Sequence, residues 1–219
     1  MKKITIVTGH YGSGKTNLSV NLAVKAASEG KSVAIVDLDL VNPYFRTADF
    51  RGFFEEKGIK MIAPDFAGSN LDVPSIQFDV EQLAINEDCL IIDVGGDDAG
   101  AAALGRYAGA LMGFKDELDM LYVINQRRYL TANANEAVAL MYEIEAAARM
   151  KHTAIVNNTN LGCETSLEII EQSGEFAAKV SAKTGLPLAF TTCPEELCEL
   201  AQDKGYFPVE VYVKNIWDR

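Results

Sequence analysis

The stretch that decides the fold is Ile4-Thr5-Ile6-Val7-Thr8-Gly9-His10-Tyr11-Gly12-Ser13-Gly14-Lys15-Thr16. An apolar, β-branched run enters a glycine-rich turn, and a helical pattern follows from Asn17 to Ser28. Within that pattern Leu18, Leu22 and Ala26 recur at the four-residue spacing of one buried helix face. The turn matches G-x-x-x-x-G-K-[ST] and lies between a strand and a helix, as this motif requires.

The glycine-rich turn predicts a phosphate-binding loop, called the P-loop below (residues 9–16). Glycines let successive backbone N–H groups point at phosphate oxygens, and the N-terminus of the next helix adds a partial positive charge. We expect Lys15 to bridge the β- and γ-phosphates of a nucleotide and Thr16 to offer its hydroxyl to Mg²⁺. The predicted nucleotide-binding residues here are Gly9, His10, Tyr11, Gly12, Ser13, Gly14, Lys15, Thr16 and Asn17.

Acidic residues close two further predicted strands. Asp93 ends an apolar run, and the D-x-x-G spacing places Gly96 where its N–H can sense a γ-phosphate. The carboxyl ends of parallel strands meet at one edge of a sheet, so we expect these residues beside the P-loop. In Asp37-Leu38-Asp39, Asp37 is predicted to join Asp93 in supporting the metal, while Asp39 orients the attacking water. A turn-capping role for Asp39 is the alternative.

The whole chain alternates short apolar runs with helical stretches, which is typical of an α/β fold. The predicted strands are Ile4–Thr8, Ser32–Asp37, Lys60–Ala63, Leu90–Val94, Met120–Asn125, Ala154–Asn157 and Leu188–Thr191. A second long helix is predicted from Ala132 to Met150, and an irregular excursion from Asp65 to Pro74. The tail from Phe207 to Trp217 is predicted to be a strand or an extended arm packed on the domain. Nothing marks a linker, so one domain over residues 1–219 is expected.

The candidate segment for recognising the nucleotide base is Asn157-Asn158-Thr159-Asn160, at the end of the sixth predicted strand. A guanine site resembles N-K-x-D, whose aspartate accepts two hydrogen bonds from the base. Asn158 and Asn160 stand where the lysine and the aspartate would be, so guanine is disfavoured. Asn157 is the candidate adenine contact through its amide, with an ordinary strand-end turn as the alternative.

Composition excludes several classes of protein. The formal net charge is −11 and the densest basic spots are Arg127-Arg128 and Lys2-Lys3, which disfavours a nucleic-acid partner. No run approaches the roughly 20 apolar residues of a membrane span, so no membrane partner is expected. We expect a cytoplasmic protein whose thiols stay reduced, since no C-x-x-C spacing occurs among its four cysteines. These are Cys89, Cys163, Cys193 and Cys198.

Taken in order, these motifs resemble the MinD/ParA/CobQ superfamily of P-loop ATPases, known as deviant Walker A proteins. The shared features are the P-loop, D-x-D after the second strand, D-x-x-G after the fourth, Asn after the sixth and the proline turn at Cys193-Pro194-Glu195. The resemblance implies a three-layer α/β P-loop fold with a mostly parallel sheet of seven or eight strands flanked by helices. It also implies binding of ATP and Mg²⁺, slow hydrolysis to ADP and phosphate, and a face-to-face homodimer.

The resemblance also assigns roles to single residues. Asp37 and Asp39 would be the switch acids, Asp93 the acid of the Walker B motif, Asn157 the adenine contact, and Pro194 a further nucleotide-binding residue.

Two adjacent positions depart from the family pattern, which reads K-G-G-x-G-K-[ST]. His10 occupies the slot of the signature lysine, and Tyr11 replaces the first of the paired glycines. Imidazole is shorter than a lysine side chain and largely neutral near pH 7, so the lysine's reach to the partner's phosphates is not expected here. Arg46 is a candidate replacement cation, with a solvated surface arginine as the alternative. Formation of a homodimer therefore stays open.

Three functions fit these residues. The favoured one is a nucleotide switch, in which slow ATP hydrolysis drives a change read by an unidentified protein partner. The second is an ATP-dependent transferase or ligase acting on a small molecule, and the third a nucleotide sensor with negligible turnover. Basal hydrolysis distinguishes the first, while a need for an acceptor distinguishes the second.

Overall fold

The structure is a computed structural model that describes residues 1–39, 50–63, 78–201 and 204–212. Eight strands form in these ranges, from the apolar, β-branched runs of the sequence. They are β1 (Ile4–Gly9), β2 (Val33–Leu38), β3 (Lys60–Ile62), β4 (Cys89–Val94), β5 (Leu118–Ile124), β6 (Ala154–Asn157), β7 (Leu188–Pro194) and β8 (Phe207–Val209). The helices are α1 (Lys15–Ser28), α2 (Arg51–Glu56), α3 (Val80–Asn86), α4 (Asp98–Gly105), α5 (Ala108–Met112), α6 (Ala134–Ala148), α7 (Leu167–Thr184) and α8 (Glu195–Leu200).

The strands pair in the order β3-β2-β4-β1-β5-β6-β7-β8, and every pair is parallel. The predicted fold class, a mostly parallel sheet of seven or eight strands, is therefore confirmed. All seven strands predicted from sequence are present, with boundaries shifted by a few residues at most. The start of the tail forms β8. The candidate cation Arg46, the excursion from Asp65 to Pro74 and the positions from 213 onward lie outside the described residues.

Helix boundaries follow from local capping. The first helix begins at Lys15, two residues before the predicted start, because Gly14 adopts a left-handed conformation and its carbonyl accepts from Leu18 N. The second long helix begins after Asn133, whose side chain accepts from two backbone N–H groups of the first turn. Asp97 caps α4 in the same way, since its side chain accepts from Gly100 N.

Apolar residues cover both faces of the sheet, which explains why the strands lack a polar alternation. On one face Val7 and Ile91 pack with Leu18 of α1 and Phe54 of α2. The opposite face carries a larger cluster under α3 to α7, which includes the fully buried Ile92 and other residues of the central strands. The result is three layers, helices–sheet–helices. Within the described ranges, every helix is too short or too polar to span a bilayer.

The topology fixes where a site can form. Strand β1 lies between β4 and β5, so chain order reverses around it, and a crevice opens at the carboxyl edge of the sheet. The P-loop leaves β1 at this edge. Asp37 and Asp93 lie at the same register position on β2 and β4, and Val7 of β1 is level with Asp93.

A buried histidine supports the end of β1. His152 lies between Thr8, one residue before the P-loop, and Glu145 of α6. In the neutral ring, Nδ1–H donates to Glu145 Oε1 at 3.2 Å and Nε2 accepts from the Thr8 hydroxyl at 2.7 Å. Burial lowers the pKa of His152 to about 4, against the opposing charge of Glu145.

This histidine predicts a pH dependence of stability. Its folded pKa lies below the unfolded value of 6.5, so the unfolded chain binds the proton first and stability is lost as pH falls below 6.5. We expect the free energy of unfolding to drop by about 2 kcal/mol between about pH 6.5 and about pH 5. In His152→Gln this drop should shrink, measured by urea unfolding across that range. Equal slopes in both proteins would contradict the assignment.

Candidate nucleotide-binding site

The P-loop has the backbone shape that its glycines predict. Gly9, Gly12 and Gly14 have φ angles of 146°, 73° and 89°. Ser13 N donates to His10 O at 3.1 Å, which closes the turn, and α1 starts immediately after Gly14. The loop therefore presents its remaining N–H groups and a helix N-terminus at the carboxyl edge of the sheet, an arrangement suited to phosphate.

Lys15 is buried at the base of the loop, with 6% of its surface exposed. Its ammonium group donates one hydrogen bond among the described residues, to His10 O at 3.2 Å. Burial lowers the pKa of Lys15, while the negative charges of Asp93, Asp39 and Asp97 act to raise it. A buried cation that donates only one hydrogen bond within the described ranges, at the base of a glycine loop, fits a polyphosphate ligand.

Gly96 brings the D-x-x-G segment into contact with the P-loop. A Cβ at this position would lie 2.6 Å from Tyr11 N, 2.7 Å from Tyr11 Cα and 2.8 Å from Lys15 Nζ. Only glycine permits this approach. The structure thus brings together the two motifs that the sequence separated by about 80 residues.

The predicted acids lie on the β4 side of the loop. Asp93 is buried and accepts a hydrogen bond from Ser19 Oγ on α1 at 3.0 Å. Asp37, also buried, accepts from Asp39 N at 2.9 Å, which turns the chain at the end of β2. Asp39 itself approaches Gly95, whose absent Cβ would lie 3.3 Å from Asp39 Oδ1.

No group of three or more Asp, Glu, His or Cys side chains within the described residues forms a metal cluster. Mg²⁺ is commonly held by one or two protein oxygens together with phosphates and water, so the donors present fit that ion. Thr16 is half-buried in the first turn of α1, where its hydroxyl would serve as one such donor.

His10, the second residue of the loop, is half-buried. Its Nδ1–H donates to Tyr11 O at 2.8 Å. Burial lowers the pKa of His10, and the positive charges of Lys15 and Arg128 lower it further. The hydrogen bond to Tyr11 O acts in the opposite direction, and the net shift is downward. A neutral imidazole therefore stands in the slot where the sequence pattern of the resembling family has a lysine.

On the β6 side, Asn157 and Asn158 have different surroundings. Asn157 is fully buried, donates to Ser173 Oγ at 2.8 Å and accepts from the Thr159 hydroxyl at 2.8 Å. Asn158 reaches the P-loop, where its amide donates to Ser13 O at 2.7 Å. The adenine contact assigned to Asn157 stays a prediction, and it would require these internal bonds to be exchanged.

Two other predicted residues lie at the same edge. Pro194 ends β7 and precedes α8. Asn17 uses its amide to hold the chain after β8, since it donates to Glu210 O and accepts from Tyr212 N, each at 2.9 Å. Its side chain is therefore engaged away from the loop, which leaves only its backbone for a nucleotide.

Sequence reasoning missed two residues that grip the P-loop backbone, Asn158 and Arg128. Asn158 Oδ1 also accepts from the Thr192 hydroxyl at 2.5 Å, so it ties the loop to β7. Gly14 is needed for this contact because a Cβ there would collide with the Asn158 amide. Arg128 Nε donates to Gly12 O at 2.7 Å. The Arg127-Arg128 pair was visible in the sequence only as a basic spot.

The fold and the P-loop define a class: this is a nucleotide-binding α/β protein of the P-loop type. Residues 4–159 match the family described as the CobQ/CobB/MinD/ParA nucleotide binding domain, and the chain belongs to that family. The predicted resemblance is thereby confirmed. No curated protein matches the sequence.

Solved structures give the same fold at low identity. Cell division protein FtsY from Thermotoga maritima is 22% identical with a TM-score of 0.58, over 89% of this chain and 63% of that one. The signal recognition particle 54 kDa protein from Aeropyrum pernix, solved with GDP, is 19% identical with a TM-score of 0.55. That match covers 87% of this chain and 41% of the other protein. The chain therefore spans less than two thirds of either protein.

The contact at Gly96 gives a test of the site. We expect Gly96→Ala to weaken nucleotide binding by about tenfold or more, because the new methyl group must displace Tyr11 backbone atoms or Lys15 Nζ. Isothermal titration calorimetry with Mg²⁺ and nucleotide measures the effect. Gly174→Ala is the matched control, since no described residue lies within 4 Å of a Cβ there. Unchanged affinity in Gly96→Ala would contradict this geometry.

Proposed function

We propose that this protein binds ATP with Mg²⁺ and hydrolyses it slowly to ADP and phosphate, as a nucleotide-dependent switch. The observation that carries the proposal is the burial of Lys15 in the P-loop beside Asp93 and Asp39. A buried cation surrounded by acids is suited to a ligand that carries both phosphate charge and a metal ion.

Each residue has a defined task in this proposal. Lys15 neutralises charge on the β- and γ-phosphates, and Thr16 supplies a metal ligand. Asp93 and Asp37 hold waters of the metal shell, and Gly96 N–H senses the γ-phosphate from its place against Tyr11. Asp39 accepts a hydrogen bond from the attacking water, since it lies just past the end of β2 at the same edge.

Adenine is favoured by the chemistry of the loop after β6. Selection of guanine requires a carboxylate that accepts two hydrogen bonds, and residues 157–160 offer only amides and one hydroxyl. The Asn160 amide is already engaged, because it donates to Asn158 O at 2.8 Å and accepts from Gly162 N at 3.2 Å. The GDP in the Aeropyrum pernix structure makes guanine nucleotides the rival ligands.

Lys15→Ala tests the binding step. We expect affinity for ATP with Mg²⁺ to fall about 100-fold, since two charge-assisted hydrogen bonds of about 1.5 kcal/mol each are lost. Calorimetric titration with ATP and, in parallel, GTP measures both affinity and base preference. Lys25→Ala is the control, because this lysine lies on the same helix but is exposed. Unchanged binding in Lys15→Ala would overturn the P-loop assignment, and tighter GTP binding would overturn the choice of base.

Asp39→Asn tests the hydrolysis step. An amide keeps the size of the side chain but is a much weaker acceptor for a water proton, so turnover should fall about 100-fold while affinity changes less than about threefold. Phosphate release under single-turnover conditions measures the first quantity and titration the second. Asp116→Asn, at an exposed carboxylate before β5, is the control. Equal losses in both quantities would make Asp39 a metal-binding or structural residue.

Tight ATP binding without turnover in the wild type would overturn the switch and favour a sensor or an acceptor-dependent enzyme.

A further inference from the structure

Arg128 is fixed against the backbone of the P-loop at Gly12. Its Nε donates to Gly12 O at 2.7 Å. A Cβ on Gly12 would lie 3.2 Å from Arg128 Nε and 3.3 Å from Cζ, so the guanidinium rests directly over that glycine. The glycine thus provides both the turn of the loop and the space for the arginine.

The backbone that carries Arg128 is held in place by a buried asparagine. Asn125 follows β5 and is fully buried, and its Oδ1 accepts from Arg127 N at 2.9 Å. The Asn125 carbonyl accepts from Arg128 N at 3.2 Å and from the Thr131 hydroxyl at 2.8 Å. Because the loop is already ordered, little conformational entropy is lost when its arginine meets a ligand.

The remaining donors of Arg128 lie at the end of an exposed side chain. Its side chain is exposed, and Nε makes its only hydrogen bond among the described residues. A guanidinium carries five N–H donors, so both Nη groups lack a partner within the described ranges and can bind oxygens of a ligand. A lysine has a single nitrogen and cannot hold Gly12 O and also present a fork to a ligand.

The order of the strands sets which part of a nucleotide these donors meet. Arg128 follows β5, which lies on the β6 side of β1, whereas Asp93 and Asp37 lie on β4 and β2 on the other side. We expect a γ-phosphate and its metal to lie beside the acids. The chain from the β-phosphate to the sugar would then run from the P-loop toward β6 and β7, past Arg128.

We propose that Arg128 binds the nucleotide held by the same chain, through phosphate and sugar oxygens that ADP and ATP share. This inference rests on the proposed nucleotide site and adds a specific cation to it. Arg128 and Lys15 then hold the phosphate chain from opposite sides, one exposed and one buried. His10, neutral and turned to Tyr11 O, is not needed for this charge.

The test compares Arg128→Ala, Arg128→Lys and Arg127→Ala by calorimetric titration with Mg-ADP and Mg-ATP. Arg127 is the matched control, since it is exposed, equally charged and adjacent in sequence. Affinity should fall about tenfold or more for both ligands in Arg128→Ala, and by a similar factor for each. Arg128→Lys should recover only part of the loss, and Arg127→Ala should match the wild type.

Salt dependence separates a direct contact from mere support of the loop. A direct ionic contact is screened, so Arg128→Ala should show a weaker loss of affinity than the wild type between about 50 and about 300 mM salt. Support of Gly12 alone would lower affinity without changing this dependence and would overturn the proposal. A loss confined to ATP would place Arg128 at the γ-phosphate and overturn it as well. If the wild type binds neither ligand, the proposed function fails; if it binds and Arg128→Ala is unchanged, only the Arg128 assignment fails.

Discussion

The burial of one ammonium group is the constraint on which the carboxyl edge of the sheet depends. Lys15 lies in a position where its charge is poorly solvated, and burial lowers its pKa. Such a charge is tolerated only if negative groups stand near, which Asp93 and Asp39 provide from two neighbouring strands. The parallel register of β2 and β4 and the glycine at position 96 are the conditions that let those acids approach the loop.

The shape of the P-loop depends on side chains that donate hydrogen bonds to its carbonyl oxygens as well as on its glycines. Arg128 and Asn158 take two consecutive carbonyl oxygens, those of Gly12 and Ser13. In a planar peptide the N–H points opposite to the C=O, so fixing Ser13 O outward turns Gly14 N–H into the concave side of the loop. The anion-binding surface is therefore preorganised by side chains from the ends of β5 and β6.

Local patterns made most of the fold predictable, and long-range contacts account for what was missed. The strands and α1 were predictable because apolar runs, the Gly14 turn and four-residue spacing are local signals. Arg128 meets Gly12 across 116 positions, and Asn158 meets Ser13 across 145, so no spacing rule points to either. Which of two adjacent asparagines faces the loop depends on where β6 ends, a detail of one residue that sequence patterns do not resolve.

The side-chain amide of Asn17 joins the first turn of α1 to the segment after β8. Asn21, one turn later, also donates to Glu210 O and accepts from Glu210 N, at 2.9 and 2.8 Å. This segment is hydrogen-bonded to the helix turn that contains Thr16, so we expect its detachment to be thermodynamically linked to the ordering of the P-loop. A ligand that rigidifies that turn should also slow the detachment of residues 210–212. The rate of amide hydrogen exchange in these residues would then report the occupancy of the nucleotide site.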